Sequence, residues 1–174
     1  MTSVEELGTP EAVTQSRPEA EELFAAHYPR LVGLAGLLGA DDPEDVAQEA
    51  FARLQGKSAL LRDPDRAPAY LRATVCNLTR NRRRHLRLAR LRQPPPPDHV
   101  APAESVVITR ESHRELLEAL DRLSRKQREA LTLRYWLDLP DTAVAEAMSV
   151  SLGSAKTHIR RGLTALQNAL GGAR

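Results

Sequence analysis

The chain has 174 residues, enough for one or two small domains, and its 41% apolar content can build cores. Only 3% is aromatic and β-branched runs are scarce, while Ala, Leu, Arg and Glu dominate, so the composition points to an all-α protein and away from sheets. The formal charge of +2 is modest but unevenly spread, and a single cysteine, Cys76, excludes an internal disulfide.

Residues 1–20 are polar, include Pro10 and Pro18, and read as a disordered lead-in. The helical period starts at Glu21 with Leu23, Phe24, His27, Leu31, Leu34, Ala35 and Leu38. Pro29 predicts a kink or break near Tyr28, and Gly39 closes the segment. Asp41-Asp42-Pro43-Glu44 reads as a helix start, with proline in the first turn and acids at the positive dipole end. Val46, Ala47, Ala50, Phe51 and Leu54 then form a buried stripe. Asp45, Gln48, Glu49 and Ala52 lie opposite, a pattern that alone describes an ordinary solvated face.

Residues 55–68 read as a loop. A long helix follows from about Ala67 to Leu91, packed through Tyr70, Leu71, Thr74, Val75 and Leu78. Its second half, TRNRRRHLRLARLR, is basic. Between Leu71 and Arg92 there are eight arginines and no acid. A helix so charged repels itself unless it meets an anionic partner. Nucleic acid fits better than a membrane surface, because Leu86, Leu88 and Leu91 make only a thin apolar face.

Residues 93–110 hold PPPP and Pro102 and predict a semi-rigid linker. Helix resumes near Glu111, and Ser124-Arg125-Lys126-Gln127 has the capping-box pattern of a new helix packed by Ala130, Leu131, Leu133, Tyr135 and Leu137. From Pro140 a helix-turn-helix is predicted. Val144, Ala145 and Met148 edge its first helix, Ser149-Val150-Ser151 makes the turn with Val150 inward, and Ser151 caps the second helix. Leu152, Ala155, Ile159, Leu163, Leu166 and Leu170 then form one apolar stripe. Ser154, Thr157 and Arg161 point away from it, with Gly153, Lys156 and Arg160 beside them, and no acid occurs from Ser149 to Arg174. Small, hydroxyl and cationic side chains there suit the DNA major groove; a merely basic solvated face is the alternative.

The five histidines show no ligand spacing with Cys76, so no structural metal is expected. There is no nucleophile motif and no Gly-rich phosphate loop, which argues against an enzyme, and no cofactor is expected. No stretch approaches the roughly 20 apolar residues of a membrane span and no apolar signal core is present, so a cytoplasmic protein is expected.

In order, the chain has an acidic-faced helix, a basic helix, a proline linker and LSRKQREALTLRYWLDLPDTAVAEAMSVSLGSAKTHIRRGLTAL. This closely resembles the extracytoplasmic-function sigma factors of the sigma-70 superfamily, over roughly residues 21–170. EDVAQEAFARL resembles the family's D-x-x-Q-E-x-F signature, and the recognition helix follows SVxxGxxKTxxxR.

The resemblance implies two helical domains. Residues 21–92 would be a sigma-two-like bundle that reads and melts the −10 promoter element. Residues 111–174 would be a sigma-four-like domain that reads the −35 duplex and touches the β flap of RNA polymerase. It further implies that Asp45, Gln48, Glu49 and Phe51 bind the β′ clamp helices of core polymerase, and that Asn77 lines a pocket for a flipped-out −10 base. Tyr70 stands where many members carry Trp for stacking. Arg80, Asn81, Arg82, Arg83 and Arg84 would follow the strand backbone. Lys156, Thr157, Arg160 and Arg161 match recognition-helix contacts, beside Ser154 on the same face. His158 stands where Arg is frequent, and Gly162 sits inside a helix at a cost of roughly 1 kcal/mol against Ala. The implied function is transcription initiation with core RNA polymerase and promoter DNA, with room for an anti-sigma factor. The alternative is a stand-alone helix-turn-helix regulator, which has no need of Glu44 to Leu54 or of the arginine-rich helix.

Overall fold

The computed structural model describes residues 11–63, 65–91 and 107–171. They form helices α1 (Glu11–Leu37), α2 (Pro43–Gln55), α3 (Ser58–Leu61), α4 (Arg66–Arg90), α5 (Val107–Asp121), α6 (Arg125–Leu131), a π-helical turn (Thr132–Trp136), α7 (Asp141–Met148) and α8 (Leu152–Gly171). Residues 92–106, most of the expected linker, and residues 1–10 of the expected lead-in lie outside the described residues.

Two expectations for the first segment change. The backbone is helical from Glu11, so half of the expected disordered lead-in belongs to α1, and α1 runs unbroken through Pro29. Pro29 and Ala25, whose carbonyl loses its partner, are both exposed, so water can satisfy that carbonyl. Just beyond, Leu31, Leu34 and Ala35 are buried and hold the helix in place. The predicted loop at 55–68 carries the short helix α3, and α5 begins at Val107, ahead of the expected Glu111.

Helix starts follow their local signals. The Asp42 side chain accepts the Asp45 N–H at 2.9 Å, with Pro43 in the first turn of α2. At α6 the capping box is reciprocal: Gln127 N–H donates to the Ser124 hydroxyl, and Ser124 N–H donates to Gln127 Oε1 at 3.1 Å.

The first four helices bury Leu34, Val46, Leu54, Leu71 and Val75, and the π turn and α7 bury Leu133 and Val144, all in one continuous cluster. Each such side chain contributes roughly 1.5–3 kcal/mol when fully buried. The two helical units therefore pack directly on each other. The π turn governs part of that packing. Its wider turn leaves Tyr135 58% exposed, where the sequence predicts packing, and brings Trp136 against α1 instead.

The helix-turn-helix forms as predicted. Ser149 adopts a left-handed conformation (φ 54°, ψ 47°). Val150 N–H reaches the Ala145 carbonyl and Ser149 N–H the Glu146 carbonyl, both at 3.0 Å, the Schellman pattern with serine in place of the usual glycine. Along α8, Ala155 and Ile159 are buried, Leu163 and Leu166 are half-buried, and Leu152 and Leu170 end the stripe exposed. Gly162 is also buried: a Cβ there would lie 3.0 Å from Leu131 Cγ and 3.3 Å from the Gln127 carbonyl. The glycine that weakens α8 locally is what lets α6 approach it.

Candidate nucleic-acid interface

The turn aims the N-terminal end of α8 outward. Ser151 is its cap, its hydroxyl accepting the Ser154 N–H at 3.2 Å and donating to the Ser154 hydroxyl at 2.9 Å. Thr157 donates its hydroxyl to the Gly153 carbonyl at 2.9 Å. Ser154, Lys156, Arg160 and Arg161 are exposed, Thr157 and His158 half-exposed. Among the described residues, Lys156, Arg160 and Arg161 have no ion-pair partner. Three uncompensated cations beside a capped helix start form one anion-seeking face.

The basic face of α4 is arranged differently. Tyr70, Asn77 and Arg84 are spaced by two helical turns and share one side. Arg84 and Asn81 are exposed. Asn77 is exposed too, and its Oδ1 accepts from Arg80 Nη1 at 3.1 Å. Arg80 Nη2 donates to Glu129 of α6 at 2.7 Å. Arg83 Nη1 donates to the Leu38 carbonyl at 2.8 Å. Tyr70, with the Lys57 ammonium 5.7 Å from its ring centre, lines an open cleft of about 320 Å³ whose other wall is Ala143, Glu146 and Ala147 of α7. So the arginines that the sequence groups together divide into engaged and free ones.

The acidic face of α2 is tied to α4. Arg82 donates to Glu49 at 2.6 Å and lies 2.5 Å from Asp45, while Arg53 holds the other Glu49 oxygen at 2.6 Å. The hydrogen bond from Arg82 holds the Glu49 carboxyl below the ordinary glutamate range. Gln48 reaches the Tyr28 hydroxyl at 3.4 Å. Phe51 is 7% exposed and packs against Phe24 and Tyr28, so it supports this face from beneath.

Three residues that sequence reasoning passed over join the two units. Glu129 is 4% exposed, and burial pushes its carboxyl up while Arg80 pulls it down. Arg128, equally buried, donates to the Leu37 carbonyl at the end of α1 and to Asp121. Trp136 donates its indole N–H to the Arg30 carbonyl at 2.9 Å. Their partners on the first unit, Arg80, Leu37 and Arg30, are far away in sequence, so no local periodicity signals them. Cys76 is 2% exposed, and burial pushes its thiol far up, which leaves it unreactive.

Comparison with known proteins agrees with this geometry. Residues 113–166 match the model of the family "Sigma-70, region 4". The chain is 30% identical over 157 residues to an RNA polymerase sigma-E factor of Streptomyces avermitilis, covering 87% of this chain and 85% of that one. It is 39% identical over 77 residues to an ECF RNA polymerase sigma factor, SigK, of Mycobacterium sp., covering 44% of this chain and 38% of the relative. In fold it matches the sigma factor RpoE of Bartonella quintana, crystallised with the anti-sigma factor NepR, with a TM-score of 0.70 at 20% identity over 88% of this chain and 98% of that one. CnrH, solved with the cytosolic domain of CnrY, gives 0.65 at 21% identity over 94% of this chain and 95% of that one. The chain belongs to the extracytoplasmic-function sigma factors of the sigma-70 superfamily, and it is a non-enzymatic initiation factor that directs RNA polymerase to promoters.

Proposed function

We propose that the two helical units divide promoter recognition between them. Residues 111–174 read the −35 duplex through Ser154, Lys156, Thr157, Arg160 and Arg161. Residues 21–92 read the −10 element through Tyr70, Asn77, Asn81 and the arginines at 80, 82, 83 and 84, and dock on core polymerase through Asp45, Gln48 and Glu49, with Phe51 beneath them. The observation that carries this reading is the set of unpaired cations on the outward face of α8. Arg53, Arg80, Arg82, Arg128 and Arg134 are held in ion pairs, whereas among the described residues these three α8 cations have none and share one face. The complexes of RpoE with NepR and of CnrH with CnrY support an anti-sigma partner here too. Among the described residues no helix is long and apolar enough to cross a membrane, and we place the protein's action in the cytoplasm, where promoter DNA and polymerase are.

The test is reconstituted initiation with Thr157→Ala and Arg161→Ala. Each lost base contact costs roughly 1–3 kcal/mol. Initiation at a −35-dependent promoter should fall about ten- to a hundredfold, while co-elution with core polymerase stays unchanged. Normal initiation by both variants would remove the recognition role from this face.

A further inference from the structure

Both phenylalanines of the chain and one of its three tyrosines meet at one surface. Phe24 stacks on Tyr28 with ring centres 4.3 Å apart. Phe51 lies tilted beneath them, 4.9 Å from Phe24 and 6.2 Å from Tyr28. Phe51 belongs to the core at 7% exposed, whereas Phe24 is 40% exposed. Phe24 and Tyr28 are four residues apart on α1, so their rings share one helix face. The Tyr28 hydroxyl accepts from the Gln48 amide at 3.4 Å, which joins this aromatic ledge to the outer face of α2. On that face the carboxylates are already engaged: Arg82 reaches both Asp45 and Glu49, and Arg53 holds Glu49. An approaching cation has to compete with these arginines. Covering the exposed side of Phe24 displaces only water, which is favourable and breaks no ion pair.

We propose that Phe24, seated on Tyr28, is an aromatic anchor of the polymerase-docking face and inserts into an apolar strip on core polymerase. The proposal rests on the docking role given above to Asp45, Gln48 and Glu49. Continuity argues for that occupant, because the Gln48 contact makes the ledge and the α2 face one surface. The anatomy agrees. Protein interfaces place apolar and aromatic side chains at the centre and polar groups at the rim. Here the two stacked rings form the centre, and Gln48 with the paired Asp45, Glu49, Arg53 and Arg82 forms the rim. A few such anchors carry most of the energy of an interface, while the rim excludes water around them. The anchor is also prepared before docking. Stacking on Tyr28 and backing by Phe51 hold the Phe24 ring in place, so little side-chain freedom remains to be lost.

The test is competition of the full-length chain with labelled wild-type protein for core polymerase. Phe24→Ala should compete about thirtyfold less well, the scale of an interface hot spot, with helicity by circular dichroism unchanged. A second measurement decides the matter should that variant fold poorly. A photoreactive phenylalanine analogue at position 24 keeps the ring, and it should crosslink to core polymerase. The same analogue at position 26, exposed and roughly 200° round the helix, should not. Wild-type competition by folded Phe24→Ala, no crosslink from position 24, a crosslink from position 26, or a crosslink from position 24 to a second copy of this chain overturns the proposal. The pair Asp45→Asn with Glu49→Gln is the reference arm. If Phe24→Ala competes normally while that pair is weakened, the aromatic anchor alone falls; if both compete normally, the docking reading on which it rests falls too.

Discussion

Arg82 of α4 donates to Glu49 of α2 at 2.6 Å, so a residue proposed to follow the DNA backbone is held by a residue proposed to meet polymerase. Both side chains are partly exposed, so the pair contributes about 0.2–1 kcal/mol. The Glu49 carboxyl lies below the ordinary glutamate value of 4.5, chiefly through the hydrogen bond from Arg82. A depressed carboxylate contributes stability above its unfolded value and loses it as pH falls through the folded one. Arg82→Gln should therefore lower the melting temperature near pH 6, and the difference from wild type should shrink as pH falls below 4.5. Thermal melts across that range check it; a gap that widens toward acid pH contradicts it.

The same pairing dictates how the polymerase face is tested. Charge reversal at Asp45 and Glu49 would set cations against Arg82 and damage the fold. The neutral pair Asp45→Asn with Glu49→Gln avoids this, and it should keep the helicity of the wild type. Its competition for core polymerase should weaken about tenfold or more, the usual scale for charges steering an interface. Full competition by a folded double variant would remove these two residues from the docking face.

Gly162 sets two effects against each other. Alanine in a helix interior gains about 1 kcal/mol over glycine, but a Cβ would meet Leu131 Cγ at 3.0 Å and the Gln127 carbonyl at 3.3 Å. Overpacking of a tight core costs roughly 1–3 kcal/mol, and the backbone carbonyl cannot swing aside as a side chain can. Gly162→Ala should therefore lower the melting temperature by a few degrees. A higher melting temperature would mean that α6 yields.

Local chemistry made much of this molecule legible in the sequence. Asp42 before Pro43, the Ser124–Gln127 box and the α8 stripe each depend on neighbours a few residues away, and each forms. The contacts across distance were not legible. Glu129 meets Arg80 across 49 positions and Trp136 meets Arg30 across 106, and helical periodicity carries no information about such pairs. The π turn also hides from a 3.6-residue pattern, which is why Tyr135 reads as packed when Trp136 is the residue that docks. The α8 face was readable because its cations remain unpaired. The α4 arginines read as one strip because their separate partners lie just past the end of α1, on α2 and on α6.

Those separate partners sharpen a prediction for α4. Arg84 is exposed and Asn77 is uncharged and exposed. Arg84→Ala should weaken open-complex formation on any promoter and reduce the salt slope by about 0.7, one single-strand phosphate contact. Asn77→Ala should leave the slope unchanged and reduce discrimination at one −10 position. Open-complex yield at several salt concentrations, on promoters bearing each base there, separates the two. A uniform loss for Asn77→Ala across all four bases would return it to an ordinary surface amide.

The division of the promoter between the two units is most directly read by site-specific photocrosslinking in the open complex. A photoreactive amino acid is placed at Ser154 on α8 or at Asn81 on α4, both exposed, and the holoenzyme is bound to a promoter mapped by its transcript start. The account predicts crosslinks from position 154 to duplex at the −35 element and from position 81 to the melted strand at −10. Crosslinks from both positions to one element, or none from position 154 in an active complex, would contradict it.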